Sequence, residues 1–202
     1  MGLIFVGLYI ACEIIANVTA GRPVQLFGIV VPSAVFIYTV TFTLVDVIHE
    51  IYGKDGARKV VYGAFLANIL LAVYAYLIIH LPAPSFFTEG KAYETVFGAT
   101  PRIVFASLTA YLISSLVDVE VYHAWKLYVK RFRWSRVLVS NGVSTFVDSC
   151  IFITLAFYGV MPVLPLIIGQ YVVKMGITLF SLPLIYTTSY KGSRIKTVDN
   201  EQ

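Results

Sequence analysis

Charge is scarce in this chain: Asp, Glu, Lys and Arg make up only 13% of its 202 residues, with three histidines besides. Cysteine is scarcer still. The two present, Cys12 and Cys150, lie in apolar runs without partners at ligand spacing, which argues against a disulfide framework or a metal site. Each reads as a small buried apolar residue. No glycine-rich phosphate loop occurs, so the chain hydrolyses no nucleotide by itself, and nothing in it implies a cofactor. Also absent are His-x-x-x-His, Gly-x-Ser-x-Gly and a paired-aspartate signature with its loop glycines, so we expect no intramembrane enzyme. No polar stretch is long enough to build a soluble domain.

What fills the chain is apolar. Hydrophobic residues make up 58% and the mean hydropathy is +0.82, outside the range of soluble domains. A helix needs about 20 mostly apolar residues to cross the hydrocarbon. Six segments qualify, over 2–20, 29–51, 60–81, 102–125, 137–159 and 164–187, followed by a short tail over 191–202. A transmembrane β-barrel would show alternation over ten-residue segments, whereas runs such as Ile69 to Leu81 are continuous. The expected fold is therefore an all-α membrane protein, one domain over 1–190 with six helices in one bundle. The first span lacks a basic leader region and carries Glu13, so it reads as a retained helix rather than a cleaved signal.

Eleven Lys and Arg residues fall in the Tyr52–Lys59 loop, the Lys126–Arg136 loop and the tail, against three (Arg22, Lys91, Arg102) on the other side. The positive-inside rule then puts both termini in the cytoplasm. The net charge of +4 is accounted for by topology, and no nucleic-acid partner is expected. The partners implied are the lipid bilayer, a small ligand and, as one open arrangement, a second copy in a homodimer. The basic loop carries Tyr128, Phe132 and Trp134, a composition suited to anionic lipid, and Phe86, Phe87 and Tyr93 in the long Pro82–Pro101 connection suit the headgroup region.

Against this background seven charges are out of place. Glu13, Asp46, Glu50, Asp118, Glu120, Asp148 and Lys174 all lie inside apolar stretches. Ionisable groups are costly in lipid and usually mark a binding site or pathway. Residues three or four apart share a helix face. Thr39, Thr43, Asp46 and Glu50, with His49 beside them, form a stripe on the second span; Ser107, Tyr111, Ser114, Asp118 and Tyr122 form one on the fourth. Asn141, Ser144 or Thr145, and Asp148 align on the fifth span, Gln170, Lys174 and Thr178 on the sixth, while Glu13, Asn17 and Asn68 serve the first and third. Six polar stripes are what helices around a common cavity would show. Val-Asp recurs at Asp46, Asp118 and Asp148, which suits a duplicated three-helix unit, a frequent transporter plan.

Depth singles out one pair. Asp148 and Lys174 are central in consecutive spans and about equally far from the turn near Pro162, so an antiparallel hairpin brings them to one level. A lone charge there costs roughly 2.5–3.5 kcal/mol, which favours pairing. The substrate-binding candidates are Asp46, Asp118, Asp148, Lys174, Asn17, Asn68, Asn141 and Gln170; the candidates for proton or ion coupling are Glu13, Glu50, His49 and Glu120. Capping and snorkelling are the plain alternatives for Glu50, Glu120 and His123. Interhelical hydrogen bonding is the alternative for the amides, and an ion-pair network that only fixes packing is the alternative for the deep charges.

Several strings carry a family resemblance. NVTAGRPVQLFG (Asn17 to Gly28), FTLVDVIHEIYGKDGARK (Phe42 to Lys59), LVDVEVYHAWK (Leu116 to Lys126), SNGVSTFVDSCIF (Ser140 to Phe152) and the Gln170 to Lys174 region closely resemble the queuosine precursor transporters, also described as vitamin uptake transporters. The resemblance implies a six-helix, multi-pass carrier of the cell membrane that imports a 7-deazaguanine base, typically 7-cyano-7-deazaguanine, for queuosine or archaeosine in tRNA. The chain departs from the family at Ser115 to Tyr122, where many members have a GEF-NS-like motif, which loosens the transfer of roles to Asp118 and Glu120. A substrate-binding subunit of an energy-coupling-factor importer has a similar size, and Ala11, Ala16 and Ala20 would give its first helix a close contact face.

Overall fold

The computed structural model describes residues 2–128 and 133–179; the side chains of a few helix residues, Asp46, Tyr122 and His123 among them, and of residues 126–137 lie outside the description. The chain is built mainly of helices, in the order α1 (Gly2–Thr19), β1 (Pro23–Leu26), β2 (Ile29–Pro32), α2 (Ala34–His80), α3 (Gly90–Tyr128), α4 (Arg133–Phe157) and α5 (Val163–Leu179). Among the described residues five helical segments are long and apolar enough to cross a membrane: Gly2–Thr19, Ala34–Gly53, Asp55–His80, Gly90–Asp118 and Leu138–Phe157. The shorter apolar helix α5 follows. The C-terminal part of the expected sixth span, over 180–187, the tail over 191–202 and residues 129–132 of the basic Lys126–Arg136 loop lie outside the described residues, while the rest of that loop belongs to α3 and α4.

Helix α2 is two limbs joined at Gly53, whose φ of 69° and ψ of −177° belong to a region that only glycine enters without strain. Thr41 and Asn68, on opposite sides of that glycine, line one cavity, so the limbs fold back on each other. The basic Tyr52–Lys59 segment is thus a tight bend inside helical structure rather than an extended loop. We call this the bend end of the bundle and the opposite end the hairpin end.

The hairpin end differs from the hydropathy reading. Residues 29–32, assigned by hydropathy to the second span, form β2, which pairs antiparallel with β1 from Pro23↔Pro32 to Leu26↔Ile29. A run of isoleucine and valine is as apolar as a helix, but these β-branched residues favour strands, and the prolines at both ends stop a helix from continuing. Phe27 and Gly28 close the hairpin with φ of 51° and 82°, the double positive φ of a type I′ turn. Ser33 ties the hairpin base down: its N–H donates to Arg22 O at 2.9 Å and its Oγ to Thr19 O at 2.6 Å. The all-helical expectation is corrected to this extent.

A second difference concerns the Pro82–Pro101 connection, which is helical from Gly90 onward, with Pro101 inside α3. A ring ladder runs from Phe87 through Tyr93 to Phe97, with centroids 5.6 Å apart at each step. Arg102 then reaches across to the end of α4, donating from Nε to Leu155 O and from Nη2 to Tyr158 O, each at 2.7 Å. These are carbonyls that a helix end leaves without an internal partner.

Burial in the bundle is inverted relative to a soluble protein. Large apolar side chains such as Leu3, Tyr62, Leu66, Leu70, Phe105 and Leu116 are exposed. The interior favours small or polar residues. One cluster at the hairpin end joins Ala16, Ala20, Ala34, Ile103, Ala106, Ile153, Ala156 and Leu166 from all five helices. A second at the bend end joins Tyr9, Cys12, Leu44, Ile48, Ala57 and Ala64. Alanine at these crossings lets backbones approach closely, as lipid-embedded helices require.

Candidate functional site

Between the two clusters the helices do not fill the interior. A cavity of about 450 Å³, partly open, is walled by Glu13, Ala16, Asn17 and Ala20 near α1, by Ala34, Val35 and Tyr38 of α2, by Ser107 of α3, by Asp148 and Phe152 of α4, and by Gln170 and Lys174 of α5.

Its charged centre comes from α4 and α5. These helices are joined by the short turn around Met161 and Pro162, so residues equidistant from it meet. Lys174 Nζ lies 2.5 Å from Asp148 Oδ2, with both side chains largely but not fully buried. The ammonium also stands 5.0 Å from the centroid of the Tyr38 ring. An aromatic face favours a cation, so Tyr38 and Asp148 hold Lys174 from two sides. One turn earlier on α5, Gln170 is buried against the same space.

The amides form a second feature. Asn17 Nδ2 donates to Asn68 Oδ1 at 2.7 Å and to Glu13 O at 3.3 Å, while Asn68 Nδ2 donates to Ala64 O at 3.0 Å. Asn17 faces this cavity; Asn68 faces a neighbouring one of about 630 Å³ towards the bend end. Glu13, alone among the four coupling candidates, lines both.

The other residues singled out by sequence sit elsewhere. Asp118 accepts a hydrogen bond from Ser144 Oγ at 3.1 Å, and Ser144 Oγ also meets Asn141 O at 3.4 Å, a small polar cluster between α3 and α4 that lines neither cavity. Glu50 and His49 are exposed close to the Gly53 bend, and Glu120 is exposed near the same end. The Asp46 side chain is outside the description. On the second span the stripe through Thr43 and Glu50 turns outward, and the inward face carries Tyr38, Thr41 and Val45. Ala16 and Ala20, two of the small residues that would serve a coupling-factor subunit as a contact face, pack in the hairpin-end cluster and also line the cavity. Reading by polarity alone missed Tyr38 and Phe152: with 14 tyrosines and 14 phenylalanines, no single ring stands out. Their signal was register, since Tyr38 shares a face with Thr41 and Phe152 lies one turn beyond Asp148.

Apolar helices long enough to cross a membrane, with large side chains turned outward and Glu13, Asp148 and Lys174 held against an interior cavity, are those of a multi-pass membrane protein. The family model described as "Putative vitamin uptake transporter" matches residues 32–188. A Bacillus subtilis (strain 168) protein described as "Probable queuosine precursor transporter" is 34% identical over 193 residues, covering 92% of this chain and 82% of its relative. The chain belongs to this vitamin uptake transporter family and is a multi-pass protein of the cell membrane. No solved structure matches it.

Proposed function

We propose that the protein imports a 7-deazaguanine precursor of queuosine or archaeosine, typified by 7-cyano-7-deazaguanine, and binds it in the cavity around Asp148 and Lys174. The observation that carries this reading is the ion pair between Lys174 and Asp148 on the wall of a cavity within the bundle. A guanine-like edge presents two N–H donors beside a carbonyl acceptor. The Asp148 carboxylate is suited to accept from both donors, and the Lys174 ammonium or the Gln170 amide to donate to the carbonyl. Substrate thus takes over both halves of the ion pair, which spares the protein an unpaired charge in either state. Phe152 supplies an apolar face for the flat ring, and base–aromatic stacking contributes about 1–3 kcal/mol.

In this reading Asn17 shapes the binding cavity and Asn68 the neighbouring one, while Asp118 and Asn141 act outside the first contact with the base. Asp46 stays a candidate wall residue of the second span. Glu13 is the favoured coupling group, ahead of Glu50, His49 and Glu120. Both termini are cytoplasmic, as the basic segments suggest, so the hairpin end faces outward.

Uptake of labelled 7-cyano-7-deazaguanine tests the proposal in cells that cannot make it and lack any coupling-factor ATPase. Wild type accumulates label, which also separates a self-sufficient carrier from an energy-coupling-factor subunit. Asp148→Asn and Lys174→Met each lower uptake roughly tenfold or more, and the double change costs less than the two effects combined because no stranded charge remains. Wild-type rates in all three variants, at equal membrane levels, exclude the assignment.

A further inference from the structure

Two cavities of the bundle adjoin, and among the described residues their walls share Glu13 on α1, Tyr38 on α2 and Ser107 on α3. Their order along the helices fixes their arrangement. On α1 the first cavity runs from Glu13 towards Ala20, at the hairpin end, while the second reaches back to Tyr9. On the first limb of α2 the first takes Ala34 to Tyr38 and the second Tyr38 to Val45. On α3, which runs from the hairpin end to the bend end, Ser107 is common and the second cavity continues to Tyr111. Three helices agree that the cavities are stacked along the bundle axis and meet at one level.

The chambers differ in chemistry. The upper one, at the hairpin end, holds the Asp148–Lys174 pair, Gln170 and Asn17. Among the described wall residues, the lower one offers the hydroxyls of Tyr9, Thr41 and Tyr111 and the Asn68 amide, with the shared Glu13 as its charged member. A guest that loses ionic hydrogen bonds on moving from the first to the second is held more weakly there.

Resting on the proposed uptake of a flat heterocycle, we infer that the lower chamber is a second station for the same substrate, and that Glu13, Tyr38 and Ser107 form the neck through which it passes. The chamber that holds the Asp148–Lys174 pair captures, and the lower one, outside the reach of that pair, releases. The neck controls passage without contributing most of the binding.

Ser107 gives direct access to the neck. In a Cys12→Ala, Cys150→Ala protein that retains import, Ser107→Cys is modified with a bulky aromatic thiol reagent, and uptake and equilibrium binding of the labelled base are compared before and after. Because Ser107 also walls the charged chamber, uptake is the deciding readout: passage through a neck predicts that modification cuts it by roughly tenfold or more. A thiol at 107 that the reagent does not reach, or uptake unaffected by modification, overturns the inference. Should unmodified Ser107→Cys not import, single cysteines at Ala34 and Ala64 decide. A membrane-impermeant reagent applied to the hairpin face labels Ala34→Cys roughly tenfold faster than Ala64→Cys, and the order reverses from the other face. Equal rates from one face mean one continuous chamber and sink the inference. Failure of wild-type uptake sinks the transport reading itself, and is separately visible.

Discussion

Lys174 can sit at mid-bundle because three things are done for it at once. Asp148 neutralises its charge, the Tyr38 ring presents a negative face, and the adjoining cavity leaves both charged groups partly accessible. The Asn17–Asn68 bond solves the equivalent problem for neutral groups, closing two buried amides on each other between α1 and the second limb of α2. Asn17→Ala, Asn68→Ala and the double variant should show a coupling of about 0.6–1.7 kcal/mol when unfolding is followed in mixed detergent, the range of interhelical hydrogen bonds in lipid-embedded bundles. Purely additive losses would mean that the contact contributes nothing net. The pairing of Asp148 with Lys174 was legible in the sequence because counting outward from the Pro162 turn needs only helical rise. The position of Asp118 was not: its stripe includes Ser107 and Tyr111, which do face the cavities, yet eleven residues beyond Ser107 the interior is closed and Asp118 meets Ser144 instead. A polar stripe marks a direction, and only the packing of neighbours says how far along it the space stays open.

Among the elements, the β1–β2 hairpin depends most on a single residue outside itself. Val30 lies so close to α5 that a Cβ placed on Gly169 would collide with the Val30 carbonyl and crowd the Val31 side chain. Both obstacles belong to a paired, nearly buried strand, so neither yields cheaply. Gly169→Ala should therefore lower stability by about 1–3 kcal/mol in the same unfolding assay and move the hairpin away from the cavity rim at Ala20 and Ala34. A shift below about 0.5 kcal/mol would show that α5 slides to accommodate the methyl group. Helical spans were readable from hydropathy because length and continuity are the signal. The hairpin was not, since Ile29, Val30 and Val31 stand only Pro32 and Ser33 away from the apolar run of α2 and average into it; the prolines at 23 and 32 and the glycine at 28 were the available clue. The outward turn of Thr43 and Glu50 has a similar origin. On a helix with polar residues on more than one face, hydropathy does not say which face meets its neighbours, and burial of Leu44 and Ile48 decides it.

At the scale of the whole molecule, large apolar side chains cover the outside, small and apolar residues pack the interior towards both ends, and the Asp148–Lys174 pair and Glu13 line a cavity within it. That distribution explains how so few charged residues suffice: lipid asks for none on the outer surface, and the cavity needs only a carboxylate, an ammonium and a few amides. The same economy limits what sequence alone discloses, because guanine-like and other nucleobase edges draw on one inventory of donors and acceptors. The central claim is that this cavity grips a flat heterocycle through Asp148 and Lys174. Equilibrium binding of labelled 7-cyano-7-deazaguanine to the purified protein tests it without the complications of transport. Saturable binding by wild type, weakened roughly tenfold or more in Asp148→Asn at unchanged thermal stability, is the result predicted. Binding of equal strength in wild type and Asp148→Asn would contradict it.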